Sequence, residues 1–393
     1  MRVVHIITRL IVGGAQENTA ASVLGLRQKP GLEVHLITGL SEGPEGSLET
    51  KFSGCPEVLE ILPELVRPVN PWKDGRALQR LTAILRAMRP DVVHTHSGKA
   101  GVIGRLAAAR VGVPIIVHTI HGPSFGSFQG PLANLAFRAA ERYAARVTTH
   151  FVVVADAMKQ QYLAAGIGHP AQYTRIFSGF ALEPFLEARN DLQLRASLGL
   201  GPEDIVVGKI ARLVGLKGHD DLFAAAPALV KSCPRLKFLL VGDGDWRGRF
   251  EAQTRSLGLQ QHFVFAGLVA PEKVASLMGV MDIVTHLSAR EGLPRALPQA
   301  LAAGRPVVAY DRDGAREVCL DKETGFLVRP GDLVLLRQRL LELAGDPALR
   351  ARLGERGRQF VRERFGVQQM VDELHRLYLR LADQAQPQPL ATA

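Results

Sequence analysis

Short apolar runs recur along this chain, and each is followed by a polar or glycine-containing turn and then by a longer stretch with helical spacing. In the first half the runs are Val3–Ile7, Glu33–Thr38, Asp91–Thr95, Pro114–Thr119 and Phe151–Val154. In the second half they are Asp204–Ala211, Leu236–Val241, Phe263–Ala266 and Asp282–Leu287. Runs this brief and this apolar read as strands buried on both faces. Between them, Gln16–Leu26, Pro71–Met88, Gly98–Arg110, Leu132–Val147, Gly218–Lys231 and Trp246–Leu257 read as helices. Strand–helix alternation forces parallel pairing with crossover helices, so the class is α/β. The pattern breaks at Ser178–Asn190 and then begins again. Two Rossmann-like domains are therefore expected, over residues 1–185 and 186–365, with a further helix over 366–383 and a tail over 384–393.

The chain of 393 residues is 47% hydrophobic, which is ample for two buried cores. Only 6% of it is aromatic, too little for a base-stacking surface, so no nucleic-acid partner is expected. The net charge of +10 then points to an anionic bilayer or a phosphorylated substrate, or to nothing beyond an arginine-rich composition. Cys55, Cys233 and Cys319 show no metal-binding or disulfide spacing, which favours a reducing cytoplasm. Met1 and Arg2 run straight into the first strand, and no apolar run approaches the ~18 residues of a membrane span.

The segment Asp282–Asp311 carries most of the chemistry. It reads as strand, loop, helix (Leu293–Ala303) and strand, with Gly304 ending the helix. The turn Glu291-Gly292 falls at the carboxyl end of a parallel strand and the amino end of a helix, where open α/β sheets bind ligands. Backbone N–H groups of Gly292, Leu293, Arg295 and Ala296 suit an anion such as a diphosphate, and Glu291 suits sugar hydroxyls. Arg212 and Lys217 occupy the loop after an earlier strand, Arg212 as a bidentate phosphate ligand and Lys217 as a point charge. Gly13-Gly14 forms a strand–helix turn where a backbone can approach a ligand closely. His94, His96, His118 and His121 gather at two strand ends, but no carboxylate or thiol joins them, so no metal is expected. Leu132–Val147 pairs an apolar side, from Leu132 to Tyr143, with Arg138, Arg142 and Arg146 on another. Gly122–Pro131 reads as a mobile loop.

These motifs resemble the retaining glycosyltransferases of family 4, the group 1 glycosyltransferases. Glu291 fills the first acidic position of the family signature, and Ala300, Leu301, Ala302, Gly304, Pro306, Val307 and Val308 fit the rest. Gln299 stands where the family carries a second glutamate, and Ser178-Gly179 where it has Asn-Gly. The Asp-Val-Val-His-x-His segment ending at His96, the His121-Gly122 pair and the Arg212 to Lys217 loop match as well.

The resemblance implies a GT-B fold, two Rossmann-like domains facing across a cleft, with the last helix returning to the first domain. It implies transfer of a sugar from a nucleotide-diphosphate sugar to a lipid-linked or glycan acceptor, in cell-envelope or exopolysaccharide synthesis, without cofactor or metal. Glu291, Arg212, Lys217 and His121 would be the catalytic set. Donor contacts would come from Gly14, His96, the backbone at Val269, Gly292, Leu293, Arg295 and Gln299. An amide at Gln299 accepts ribose hydrogen bonds without charge assistance, about 1 kcal/mol weaker per bond. The enzyme would work in the cytoplasm, at the inner face of the plasma membrane if its basic half docks there. A nucleotide-sugar epimerase of the same fold and a non-catalytic nucleotide-sugar binder, the latter suggested by Gln299, are the alternatives.

Overall fold

In the computed structural model, residues 1–43, 46–126 and 128–385 are described. The chain divides into two compact units, Met1–Phe180 together with the segment from Val367 onward, and Ala181–Gly366. The first crossing precedes residue 185 because Glu183–Leu186 forms a helical turn that packs on helices Val274–Gly279 and Ala296–Ala302 of the second unit.

The first unit is built on β1 (Arg2–Ile7), β2 (Glu33–Thr38), β3 (Leu59–Ile61), β4 (Val92–His96), β5 (Ile115–Ile120), β6 (His150–Val153) and β7 (Tyr173–Arg175). They pair in parallel in the order β3-β2-β1-β4-β5-β6-β7. The second unit uses β8 (Ile205–Ile210), β9 (Leu236–Val241), β10 (Phe263–Gly267), β11 (Ile283–His286), β12 (Val307–Tyr310) and β13 (Gly325–Val328). Their order is β10-β9-β8-β11-β12-β13, again parallel. Each order reverses once, between β1 and β4 and between β8 and β11. At such a reversal the loops leave in opposite directions and open a crevice at the strand carboxyl ends. The reversals therefore fix where a ligand site can form in each unit.

Helix Val367–Ala385 buries Met370, Val371, Leu374, Leu377, Tyr378 and Leu381, a single stripe at helical spacing. The stripe joins the first unit's core with Val23, Leu26, Val117 and Val152. Gly25 makes this contact possible, since a Cβ there would overlap the Val371 side chain. Of the expected tail, residues 386–393 lie outside the described residues.

One expectation is corrected, and two local features add to the sequence reading. The helix after Glu291 begins at Ala296 rather than Leu293, because Pro294 and Arg295 form a turn closed by Leu297 N–H to the Pro294 carbonyl at 3.2 Å. The largely exposed segment 41–56 is anchored by Leu48, Phe52 and Cys55, which are buried in the core; Pro44 and Glu45 lie outside the described residues. Helix Pro131–Ala145 turns Leu132, Leu135 and Tyr143 outward, 84%, 65% and 58% exposed, and buries Glu141 and Ala144 instead.

Candidate active site

In the second unit the loops leaving β8 and β11 are joined into one structure. Ala289 N–H donates to the Leu216 carbonyl at 2.8 Å. Gly218 sits in the left-handed region at φ +66°, packed so closely on the Leu287 carbonyl that no side chain fits. Leu216, at φ +67°, takes the same uncommon conformation without being glycine. This arrangement puts the Lys217 ammonium in an ion pair with the Glu291 carboxylate. Glu291 N–H donates to Asp313 Oδ2 at 2.9 Å, and Gly314 N–H donates to the Gly292 carbonyl at 3.1 Å. The functional loop is thus held from both sides.

Burial works to raise the Glu291 pKa, but the Lys217 charge and hydrogen bond outweigh burial and hold the carboxyl below its usual value. His286 Nε2 lies 3.9 Å from Glu291 Oε1. Burial drives this imidazole down to about 3, so it stays neutral. Arg212 is exposed, and its guanidinium makes no hydrogen bond among the described residues. Gln299 is half-buried on the following helix, and its amide is likewise unbonded among the described residues. Leu293 is buried, Arg295 half-buried at the helix start, and Val269 half-buried in the loop after β10.

Lys209 and His286 were missed in the sequence. Each is a polar residue inside an apolar strand run, and that interruption was the available signal. Lys209 is only 1% exposed, and its ammonium has no hydrogen-bond partner among the described residues. Burial first, then the Lys217 charge, lowers its pKa to about 7, against the opposing pull of Glu291 and Asp221. Lys217 and Arg212 thus bring two cations to the end of β8, offset locally by Glu291, with Lys209 poised near neutrality behind them.

In the first unit, a cavity of about 750 Å³ opens at the carboxyl ends of β1, β4 and β5. Arg9, Arg67 and Lys99 line its polar side, and Val102, Phe137 and Ala140 its apolar side. His121 and Gly122 contribute to the wall. Gly14 opens helix Gly14–Leu26 beyond β1 and is exposed. The expected mobile segment after Gly122 is pinned. Phe125 is buried against Tyr162, and Ser124 Oγ donates to Glu141 Oε1 at 3.1 Å. Ser127 lies outside the described residues.

His96 and His121 are brought together, with His96 Nδ1 and His121 Nε2 3.1 Å apart. His96 is fully buried, and His121, with which it bonds, is the member of the pair on the cavity wall. His5, which sequence reasoning did not single out, lies beside His94 in register on β1 and β4. His5, His94 and His96 are the metal-spaced group among the described residues, with ligand atoms within 4.8 Å of one another. Their ring nitrogens are engaged in hydrogen bonds.

Residues 13–177 match the family described as Glycosyl transferase 4-like domain, and residues 190–360 match Glycosyl transferases group 1. The chain is 30% identical over 265 residues to the GDP-mannose-dependent alpha-(1-6)-phosphatidylinositol monomannoside mannosyltransferase of Mycolicibacterium smegmatis, spanning 64% of this chain and 67% of that one. It is 27% identical over 324 residues to the UDP-Gal:alpha-D-GlcNAc-diphosphoundecaprenol alpha-1,3-galactosyltransferase of Escherichia coli, covering 81% and 83%. The structure of Anabaena Alr3699/HepE in complex with UDP-glucose aligns with a TM-score of 0.79 at 23% identity, over 97% of this chain and 100% of that one. The chain belongs to the group 1 glycosyltransferases, and its two Rossmann-like units are of the GT-B type.

Proposed function

We propose that this glycosyltransferase is a retaining enzyme that moves a sugar from a nucleotide-diphosphate sugar to a lipid-linked or glycan acceptor in cell-envelope or exopolysaccharide synthesis. The observation that carries this reading is the joined pair of loops after β8 and β11. They present an Arg212 guanidinium, unengaged among the described residues, on the same loop as the Lys217 that pairs with Glu291, at the reversal of strand order. Cations held there stabilise charge as it develops on a departing diphosphate. Glu291 orients the donor sugar through its hydroxyls, and the free Gln299 amide accepts from the ribose. Gly292, Leu293 and Arg295 border the diphosphate, and the backbone at Val269 meets the base. In the step itself the bond from the anomeric carbon to the diphosphate oxygen breaks. A bond to the acceptor oxygen forms on the same face, and the acceptor proton passes to the leaving phosphate. No metal enters this scheme.

The relatives' donors, UDP-Gal for one and GDP-mannose for the other, leave the base open. Calorimetry with UDP-, GDP- and ADP-sugars is expected to find one donor whose affinity falls at least tenfold in Arg212→Ala, the scale of a lost charge-assisted pair. Absence of binding to every donor would refute the donor site. Turnover of a bound donor without any acceptor would point to the epimerase instead.

The acceptor side of the proposal rests on the first unit. Its cavity joins a polar wall of Arg9, Arg67 and the Lys99–Asp74 ion pair to an apolar one, which suits a phosphate-bearing lipid or its glycan. The outward Leu132, Leu135 and Tyr143, with Arg142 and Arg146 on the same helix, suit an anionic bilayer at the inner membrane face. Among the described residues no helix is long and apolar enough to cross a membrane. The protein is expected to sediment with anionic vesicles and less so after Leu132→Glu with Leu135→Glu. Equal sedimentation with neutral and anionic vesicles would sink the docking.

A further inference from the structure

A continuous line of hydrogen bonds runs from the cavity wall through the core of the first unit and back. His121 Nε2 meets His96 Nδ1 at 3.1 Å, and His96 Nε2 meets His5 Nδ1 at 2.9 Å. His5 Nε2 lies 3.4 Å from the Tyr378 hydroxyl, which also contacts His94 Nδ1. His94 Nε2 closes the line on Thr119 Oγ1 at 2.6 Å. Both end residues, His121 and Thr119, line the same cavity. The interior members His5, His94, His96 and Tyr378 are completely buried.

Counting hydrogens makes this line directional. Burial drives the His5 and His121 pKa values down to about 3 and, with the neighbouring histidines, holds His94 and His96 well below the ordinary value. Burial keeps Tyr378 protonated. A neutral imidazole carries one ring hydrogen, as does each hydroxyl. Six groups therefore supply six hydrogens to five contacts, and one is left over at an end. In one polarity His121 Nδ1 carries it and is a donor. In the other, every hydrogen points the opposite way, Thr119 carries the surplus and His121 Nδ1 is a bare acceptor. A mixed arrangement sets two donors or two lone pairs against each other or, where both His5 and His94 donate to Tyr378, orphans its hydroxyl hydrogen, and each is costly in the core.

We propose that Tyr378, His5, His94 and His96 are positioning residues forming a two-state relay that sets whether His121 meets a substrate hydroxyl as donor or as acceptor. The assignment of that hydroxyl rests on the cavity being a substrate site, while the relay itself can be tested without ligand. The protein then recognises a hydroxyl's orientation through a tyrosine in its last helix, which touches no substrate.

The test is nitrogen NMR of the ligand-free full chain labelled at histidine, with His121 assigned by comparison with His121→Gln. In Tyr378→Phe, a hydrogen on His5 Nε2 would face the phenyl ring unbonded, so the inner histidines turn their hydrogens toward the cavity. The His121 Nδ1–H form is expected to gain on the order of tenfold, the scale of avoiding one buried orphan donor. Thr119→Val, at the other end, orphans a hydrogen on His94 Nε2 and is expected to shift His121 in the same direction. Two variants at separate points guard against one that fails to fold. An unchanged His121 tautomer in a folded variant would overturn the relay. So would zinc that is retained stoichiometrically by the wild type and lost in His5→Gln, because ligation would consume the same nitrogens.

Discussion

Glu291→Gln is expected to lower kcat/KM by about 10²-fold or more, and Glu291→Ala by up to about 10³-fold, with little change in circular dichroism. The amide still accepts a hydroxyl hydrogen bond but no longer balances the Lys217 ammonium at the end of β8. That cation then acts on the buried Lys209 with its compensating charge removed. Steady-state assays with the donor found by calorimetry measure the loss, and wild-type rates in both variants would remove Glu291 from the site. The pH sense follows from the depressed carboxyl. Its contribution to stability is fully present above the ordinary carboxylate range, and it is lost as pH falls through the lower folded value.

Glu141→Ala is expected to destabilise the first unit by about 3–5 kcal/mol. Arg105 and Glu141 are 0% and 1% exposed and pair at 2.6 Å. The rest of their hydrogen-bonding capacity is taken up locally. Arg105 Nε donates to the Gly101 carbonyl at 2.7 Å and Nη1 to Thr148 Oγ1 at 3.3 Å. Removing the carboxylate leaves a guanidinium in the core with no counter-charge, whereas replacing both partners removes the cost with the benefit. Differential scanning should show the first unit's transition fall by roughly 6–20 °C in Glu141→Ala, at about 2–4 °C per kcal/mol. Arg105→Met with Glu141→Leu should recover most of it. A double variant as unstable as the single one would mean that shape, not charge, governs the site.

Most strands were legible because a short apolar run bounded by turn residues has few other uses in a chain of this length. The Arg212–Lys217 and Glu291 loops were legible because chemistry-bearing residues followed such runs directly. What escaped was whatever depends on register between distant strands. His5 is one polar residue in an apolar run, and only its pairing beside His94 across β1 and β4 reveals a cluster. Lys209 is similar, since its orphaned ammonium acquires meaning only when β8 and β11 lie side by side. The helix Pro131–Ala145 shows another limit. Periodicity located an apolar stripe but not which way it faces, and the buried position went to Glu141, which the Arg105 guanidinium requires.

The return of helix Val367–Ala385 makes the second unit an insertion within the first. A ribosome therefore delivers the parts of the first core in two instalments, with all of Ala181–Gly366 between them. Val23, Leu26 and Val117 wait for Met370, Leu374 and Tyr378, so the usual vectorial order, amino-terminal domain first, is reversed at completion. The inner unit can finish folding while the outer one still lacks a wall. Until that wall arrives, His5 and His94 have no tyrosine to bond, so polar ordering of the histidine core follows synthesis of the whole second unit.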